Sequence, residues 1–189
     1  KIRIGVVEGK EMLLTDGQML TFTTHECTCT AEHVYISYQE FAKDVKVNEE
    51  IQLDDGKLML RVVSTNGIDE VKTVVVHGGI LTSNKGVNLP NTNVSLPSLT
   101  EKDIKDLQFI LENKLNWVAL SFVRKGEDIQ LLKSTIKSMG FTENLPAIVA
   151  KMEKPEAVRN MEAIIEEADA LMVARGDLGV ELPLEQVPM

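Results

Sequence analysis

Two neighbouring stretches decide the fold of this chain: residues 148–158 read IVAKMEKPEAV, and residues 170–183 read ALMVARGDLGVELP. Each contains a short apolar run that is typical of a buried strand. Pro155 stands where the first position of a helix would be. Apolar residues recur at helical spacing after it: Val158, Met161, Ile164, Ile165 and Ala168. The order strand, helix, strand predicts a βαβ unit with two parallel strands.

Chemically versatile side chains stand at the ends of these two predicted strands. Lys151 and Glu153 are two positions apart, so on a strand they point to the same side. Asp177 is expected at the end of the next strand, where parallel β/α proteins place their sites. Two carboxylates suit magnesium or manganese, and the lysine can neutralise charge developing on a substrate. Gly176 lets a ligand approach the backbone, and its amide with that of Asp177 could form an anion nest.

The composition favours a protein with a sizeable core and an acidic surface. Apolar residues make up 43% of the 189 residues, and 20 basic against 29 acidic residues give a net charge of −9. This balance argues against a nucleic-acid or anionic-membrane partner. The two cysteines, Cys27 and Cys29, are interpreted as reduced thiols of a cytoplasmic protein. A metal site with His25 and His33 is the alternative, although Cys-x-Cys lacks the usual zinc spacing.

The first part of the chain, residues 1–94, is predicted to be rich in β-strands. Turn dipeptides separate its apolar or alternating runs at Asp16-Gly17, Asp55-Gly56 and Asn66-Gly67. The pattern predicts no long helix there. A small closed or partly closed β-barrel would hide so many strand edges.

The pattern changes after a linker rich in Asn, Ser and Pro, residues 84–98. Thr100 and Asp103 predict a capping box at the start of a helix. Residues 117–123 are then predicted to form a strand, and Gly140 to end a second helix. Helices and strands therefore alternate up to the βαβ unit. Periodicity alone leaves a doubly wound sheet and part of a β/α barrel equally open.

The two opening stretches closely resemble the active-site motifs of the pyruvate kinase family. That signature usually has isoleucine where this chain has Met152, and asparagine where it has Lys154. Four further motifs resemble the family in the same order: LDDGKL (53–58), KGVNLP (85–90), LTEKDIKDL (99–107) and ALSFVRKGEDI (119–129). The resemblance extends over essentially the whole chain.

The resemblance implies an α/β fold in which a small β-barrel, the lid domain, is inserted into a (β/α)8 TIM barrel. Residues 1–94 would be the small β-barrel, and residues 95–189 would be a partial (β/α)8 barrel of about strands 4–6. The chain is therefore interpreted as part of a longer protein. Three strands cannot close an eight-stranded barrel, which supports this interpretation. By itself the chain is expected to be inactive, because the phosphate-binding arginine and the potassium ligands that the resemblance implies lie outside it.

The resemblance also implies a role for individual residues. Lys151 would be catalytic and would bind substrate together with Gly176 and Asp177. Glu153 and Asp177 would hold magnesium or manganese. Arg3 and Lys85 would contact the nucleotide phosphates, and potassium would bind through ligands outside this chain.

The predicted function is pyruvate kinase activity in glycolysis: phosphoryl transfer from phosphoenolpyruvate to ADP, giving pyruvate and ATP. The full-length protein is expected to be a cytoplasmic homotetramer. One alternative is a magnesium-dependent barrel enzyme that binds phosphoenolpyruvate or pyruvate and makes or breaks carbon–carbon bonds. The other is a non-catalytic interaction module, which weak ADP binding without phosphoryl transfer would favour.

Overall fold

The computed structural model describes residues 2–182 and residue 187. The chain divides into two compact units, Lys1–Leu96 and Pro97–Met189. This division falls two residues after the boundary predicted from the sequence. Pro183, the last residue of the second motif, lies outside the described residues. Among the described residues, no helix is both long and apolar enough to cross a membrane.

The first unit is built almost wholly from strands, because its apolar residues alternate between turn-forming dipeptides. Its one short helix is α1, Phe41–Asp44. Its strands are β1 (Glu11–Leu14), β2 (Met19–Thr23), β3 (His33–Tyr35), β4 (Glu50–Leu53), β5 (Leu58–Thr65), β6 (Glu70–His77), β7 (Gly79–Thr82) and β8 (Val87–Asn88).

Six of these strands form one sheet in the order β3-β2-β6-β5-β4-β8, and β1 pairs with β7 separately. The opening segment of the chain hydrogen bonds with the residues beside both outer strands. The Ile4 amide donates to the Lys85 carbonyl at 3.0 Å, and the Gly5 amide donates to the Tyr35 carbonyl at 3.0 Å. Backbone hydrogen bonds therefore continue from one edge of the sheet to the other, which removes exposed strand edges.

The core of the first unit lies inside this curled sheet. Phe22 of β2 and Phe41 of α1 are fully buried and meet edge to face, with ring centroids 5.7 Å apart. Burial of such large apolar side chains is the main stabilising contribution to a module of this size. The fully buried aliphatic side chains around the two rings include Ile4, Leu14, Leu20, Ile36, Ile51, Leu53, Leu58, Leu60 and Leu81.

The Asn66-Gly67 turn joins β5 and β6 as the sequence predicts. The Asn66 side-chain oxygen accepts hydrogen bonds from the amides of Ile68, Asp69 and Glu70 at 2.9–3.0 Å. Gly67 has φ +68°, a conformation that glycine adopts at little cost. The long β5–β6 hairpin is therefore closed by local chemistry, which is why its position could be read from the sequence.

A polar cluster around the buried Tyr38 side chain contacts Ser95, close to the end of the first unit. The Tyr38 hydroxyl and the Ser95 hydroxyl both donate to the Asp44 carboxylate, the latter at 2.8 Å, and the Ser95 amide donates to it at 2.8 Å. Burial and the hydrogen bond to Asp44 raise the pKa of Tyr38 to about 12. Burial raises the pKa of Asp44, but hydrogen bonds from Tyr38 and Ser95 outweigh it and leave that pKa below its usual value.

We expect the ionisation of Tyr38 to reduce the stability of the first unit at alkaline pH. Because its pKa is raised on folding, its contribution is fully present below pH ~10 and is lost as the pH rises towards 12. NMR of isotope-labelled tyrosine, assigned by loss of the signal in Tyr38→Phe, should show a midpoint near 12. The substitution Asp44→Asn should lower the titration midpoint of Tyr38, because it removes the neighbouring negative charge. A midpoint near 10 in the parent would contradict the buried hydrogen bond.

The second unit alternates helices and strands. Its strands are β9 (Trp117–Leu120), β10 (Ala147–Met152) and β11 (Ala170–Val173). Its helices are α2 (Glu101–Glu112), α3 (Gly126–Ser138), α4 (Pro155–Arg159), α5 (Met161–Glu167) and α6 (Arg175–Glu181).

The three strands of the second unit form a parallel sheet in the order β11-β10-β9. Its core combines the buried central strand with the apolar sides of α2 and α3. Within the described residues, β9 and β11 each pair on one side only. Leu171, Met172 and Val173 of β11 are consequently exposed. Together with the curled sheet of the first unit, this gives a mixed α/β fold.

The predicted helix after Pro155 is two short helices. Pro155 does occupy the first helical position of α4, but Asn160, with φ −105° and ψ 21°, interrupts the helix before α5. Ile164 is buried, whereas Val158 and Ile165 of the predicted apolar side are exposed. The prediction of one continuous helix was therefore wrong, because the apolar spacing runs unbroken across Asn160.

Asp128 is a charged residue of α3 that the structure buries. It is 2% exposed and accepts hydrogen bonds from the amide of Arg124 at 2.8 Å and from the hydroxyl of Ser98. The carboxylate therefore satisfies amides at the start of α3 and fastens the segment before α2 to this unit.

Candidate functional site

Lys151 and Glu153 form an ion pair at the carboxyl end of β10. The alternation of a strand brings them to the same side, as the sequence predicts. Burial differs sharply between the partners: the Lys151 side chain is 25% exposed, and that of Glu153 only 3%. The ammonium can therefore reach a bound substrate, while the carboxylate is held in the protein.

Asp177 lies in the first turn of α6 and not at the end of β11, which stops at Val173. The two adjacent strands are in register at this edge, since Met152 pairs with Val173. The amide of Ala174 then donates to the carbonyl of Met152 at 3.1 Å. These contacts bring the start of α6 beside the end of β10, the edge that carries Lys151 and Glu153.

The carboxylates at this edge have the chemistry that a divalent cation requires. Glu153 is buried, and its Oε1 is in ionic contact with the Lys151 ammonium. A buried carboxylate favours a cation close by. No cluster of three or more His, Cys, Asp or Glu side chains suited to a metal occurs among the described residues. Glu153 and Asp177 both carry carboxylates, the ligand type that magnesium and manganese prefer.

Gly176 also lies in the first turn of α6. A Cβ atom added there would meet no other heavy atom within 4 Å, so open space lies in front of this backbone. Amides in the first turn of a helix have no acceptor within the helix. The amides of Gly176 and Asp177 are therefore suitable donors to a substrate oxygen.

A further ion pair adjoins the site and was not predicted from the sequence. Lys154, the residue after Glu153, pairs with Glu181 at the end of α6. Their side chains are 18% and 2% exposed. No sequence signal indicated this contact, because the partners are 27 positions apart and α6 itself was not predicted.

Ser121 and Phe122 follow β9 and do not belong to it. Phe122 has φ +56°, which is unusual for a bulky side chain, and it is 37% exposed. Strained backbone of this kind is more frequent at functional sites than elsewhere. The sequence analysis had placed both residues within the strand.

The structure brings Arg3 and Lys85 together in the first unit. Arg3 forms an isolated antiparallel bridge with Gly86, and its guanidinium donates to the Asn84 carbonyl at 2.7 Å. The Lys85 ammonium pairs with the Asp54 carboxylate at 2.8 Å. Two cationic residues from distant parts of the sequence therefore lie at the same short segment, residues 84–86.

Asp54, the partner of Lys85, was not predicted from the sequence, which indicates only a hairpin turn at its neighbour Asp55. Asp54 accepts from Lys85 and from Lys57, and these hydrogen bonds lower its pKa. Asp54 and Asp55 both have positive φ, 51° and 56°, in the turn between β4 and β5. This turn aims the Asp54 carboxylate at Lys85, 31 positions along the chain.

The cysteines and nearby histidines do not converge. Cys29 is fully buried in the core, and burial raises its pKa, whereas Cys27 is exposed. His25 contacts Asp69 at 2.7 Å, and His33 lies exposed at the start of β3. The metal-binding alternative for these residues has no support in this geometry.

By its fold, the chain is a mixed α/β protein with a parallel sheet whose central strand is followed by an ion pair between an ammonium and a buried carboxylate. The model of the pyruvate kinase barrel domain matches residues 1–189. The chain is 44% identical over 189 residues to a pyruvate kinase of Mycobacterium intracellulare, 42% to one of Corynebacterium efficiens and 40% to one of Thermotoga maritima. The chain belongs to the pyruvate kinase family.

These matches cover 100% of this chain and 39%, 39% and 40% of the three relatives, respectively. The chain thus spans about two fifths of the length of the curated relatives it matches.

Proposed function

We propose that the protein containing this chain is a pyruvate kinase, which transfers a phosphoryl group from phosphoenolpyruvate to ADP and yields pyruvate and ATP in glycolysis. The observation that carries the proposal is the Lys151–Glu153 pair at the end of a parallel strand, in a chain that matches this family over its whole length. The alternative carbon–carbon chemistry and the interaction module have no comparable observation in their favour.

We propose that the three parallel strands of the second unit are about strands 4–6 of a (β/α)8 barrel. The parallel order, the helices between the strands and the exposed apolar residues of β11 support this assignment. The first unit would be the small β-barrel lid that the family resemblance implies.

Several residues of the second unit would each have a separate role in the reaction. Glu153 and Asp177 would hold magnesium or manganese, which would supply positive charge to the substrate oxygens. Lys151, with its partly exposed ammonium, would stabilise negative charge on the transferred phosphoryl group and on the enolate left behind. The amides of Gly176 and Asp177 would orient the substrate carboxylate. Phosphoryl transfer needs little covalent help, so placing these groups accounts for most of the catalysis.

Arg3 and Lys85 would bind the nucleotide phosphates. Their proximity across the Arg3–Gly86 bridge supports this role, and Asp54 would orient the Lys85 ammonium until phosphate replaces it as the partner. Potassium, a homotetrameric assembly and a cytoplasmic location remain implications of the family resemblance. We propose these three properties for the full-length protein.

The direct test is to measure pyruvate release by the full-length protein with phosphoenolpyruvate and ADP, with and without a chelator of divalent cations. We expect release that requires both substrates and stops when the cation is removed. ADP binding without pyruvate release would favour the interaction module. A product with a new carbon–carbon bond would favour the second enzyme class.

A further inference from the structure

The Lys154–Glu181 pair has no part in the proposed chemistry, yet it connects the two segments that carry it. Lys154 begins the turn from β10 into α4, directly after Glu153. Glu181 is the last residue of α6, whose first turn contains Asp177. The ion pair therefore links the loop of one proposed metal ligand to the helix of the other.

Helix α6 is fastened to the end of β10 at both of its ends. At its start, the Ala174 amide donates to the Met152 carbonyl at 3.1 Å, and at its end Glu181 pairs with Lys154. The helix has only seven residues, too few to be stable without outside contacts. These two attachments consequently set where Asp177 lies relative to Glu153.

The burial of Glu181 makes this attachment sensitive to the charge of Lys154. A carboxylate that is 2% exposed and loses its cation is strongly destabilised, so it would move towards water and take the end of α6 with it.

We propose that Lys154 and Glu181 are positioning residues that hold Asp177 at the separation from Glu153 at which both carboxylates bind one divalent ion. This inference rests on the proposed function, specifically on the metal role of Glu153 and Asp177. It predicts that metal affinity depends on an ion pair that does not contact the metal.

The test is to measure Mn²⁺ binding to the full-length protein by electron paramagnetic resonance. Lys154→Met and Glu181→Gln should each weaken Mn²⁺ affinity about tenfold, as the loss of a residue that orients a ligand does. Their combination should weaken it by less than the product of the two effects, since both changes remove the same interaction. Lys154→Arg keeps the charge and should bind within about threefold of the parent. The matched control is Lys133→Met, which breaks a 2.8 Å pair with Glu167 elsewhere in this unit and should leave Mn²⁺ affinity unchanged.

The outcomes separate this inference from the proposed function. If Glu153→Gln and Asp177→Asn bind Mn²⁺ as the parent does, the proposed metal site itself is wrong. If those variants lose Mn²⁺ while folded Lys154→Met and Glu181→Gln bind within about twofold of the parent, only the positioning role is overturned. Glu181→Gln leaves no buried carboxylate, and the Lys154 side chain that loses its partner is 18% exposed, so this variant decides the matter if Lys154→Met does not fold. Failure of both to fold would show a general stabilising role and would also overturn the proposal.

Discussion

Replacing Lys151 by methionine in the full-length protein should lower the rate of pyruvate formation several hundredfold. Methionine keeps much of the length of the side chain but removes the ammonium that would stabilise the moving phosphoryl group. One well-placed charge of this kind contributes about 3–4 kcal/mol to the transition state, or a few hundredfold in rate. The effect should fall on kcat far more than on phosphoenolpyruvate binding, because the charge develops mainly in the transition state.

The control for this prediction is Lys133→Met, the same substitution at a lysine of α3 that pairs with Glu167 in α5. Steady-state kinetics should show this variant within about threefold of the parent, since an exposed ion pair contributes little. Turnover of Lys151→Met within about threefold of the parent would contradict the catalytic assignment.

Loss of either proposed metal ligand should produce the other large effect. Glu153→Gln and Asp177→Asn keep the shape of each side chain but remove an anionic oxygen, and magnesium prefers such oxygens strongly. We expect the magnesium concentration for half-maximal activity to rise at least about a hundredfold, more than the loss of a residue that only orients a ligand would cause. The Glu153 variant should be the more severe, because that carboxylate is buried and would leave Lys151 without its partner.

Magnesium titration of activity, repeated with manganese, measures this effect. Glu167→Gln is the matched control: it neutralises a carboxylate of the same unit that pairs with Lys133, and it should leave the metal requirement unchanged. An unaltered magnesium dependence in both ligand variants would remove Glu153 and Asp177 from the proposed site.

Local features were predictable from the sequence because neighbouring residues decide them. Thr100 and Asp103 form the predicted capping box at the start of α2, and Gly140, with φ +85°, follows the end of α3. Lys151 and Glu153 meet because successive strand residues alternate between two sides. Each of these outcomes depends on residues no more than a few positions apart.

Contacts between distant residues could not be predicted in the same way. The ion pair of Lys154 with Glu181 joins residues 27 positions apart, and that of Asp54 with Lys85 joins residues 31 positions apart. The spacing of apolar residues does not indicate which charged residues meet over such distances. The sequence around Asp128 is typical of a solvated charge on a helix. In the structure, the Ser98 hydroxyl and the Arg124 amide donate to this carboxylate and bury it.

The backbone bridge between Arg3 and Gly86 joins residues that are 83 positions apart in the sequence. The entropy of closing a loop grows only slowly with its length, so a contact across this distance costs little more than one across half of it. Lengthening a surface turn between the two residues should therefore change the stability of the first unit only slightly.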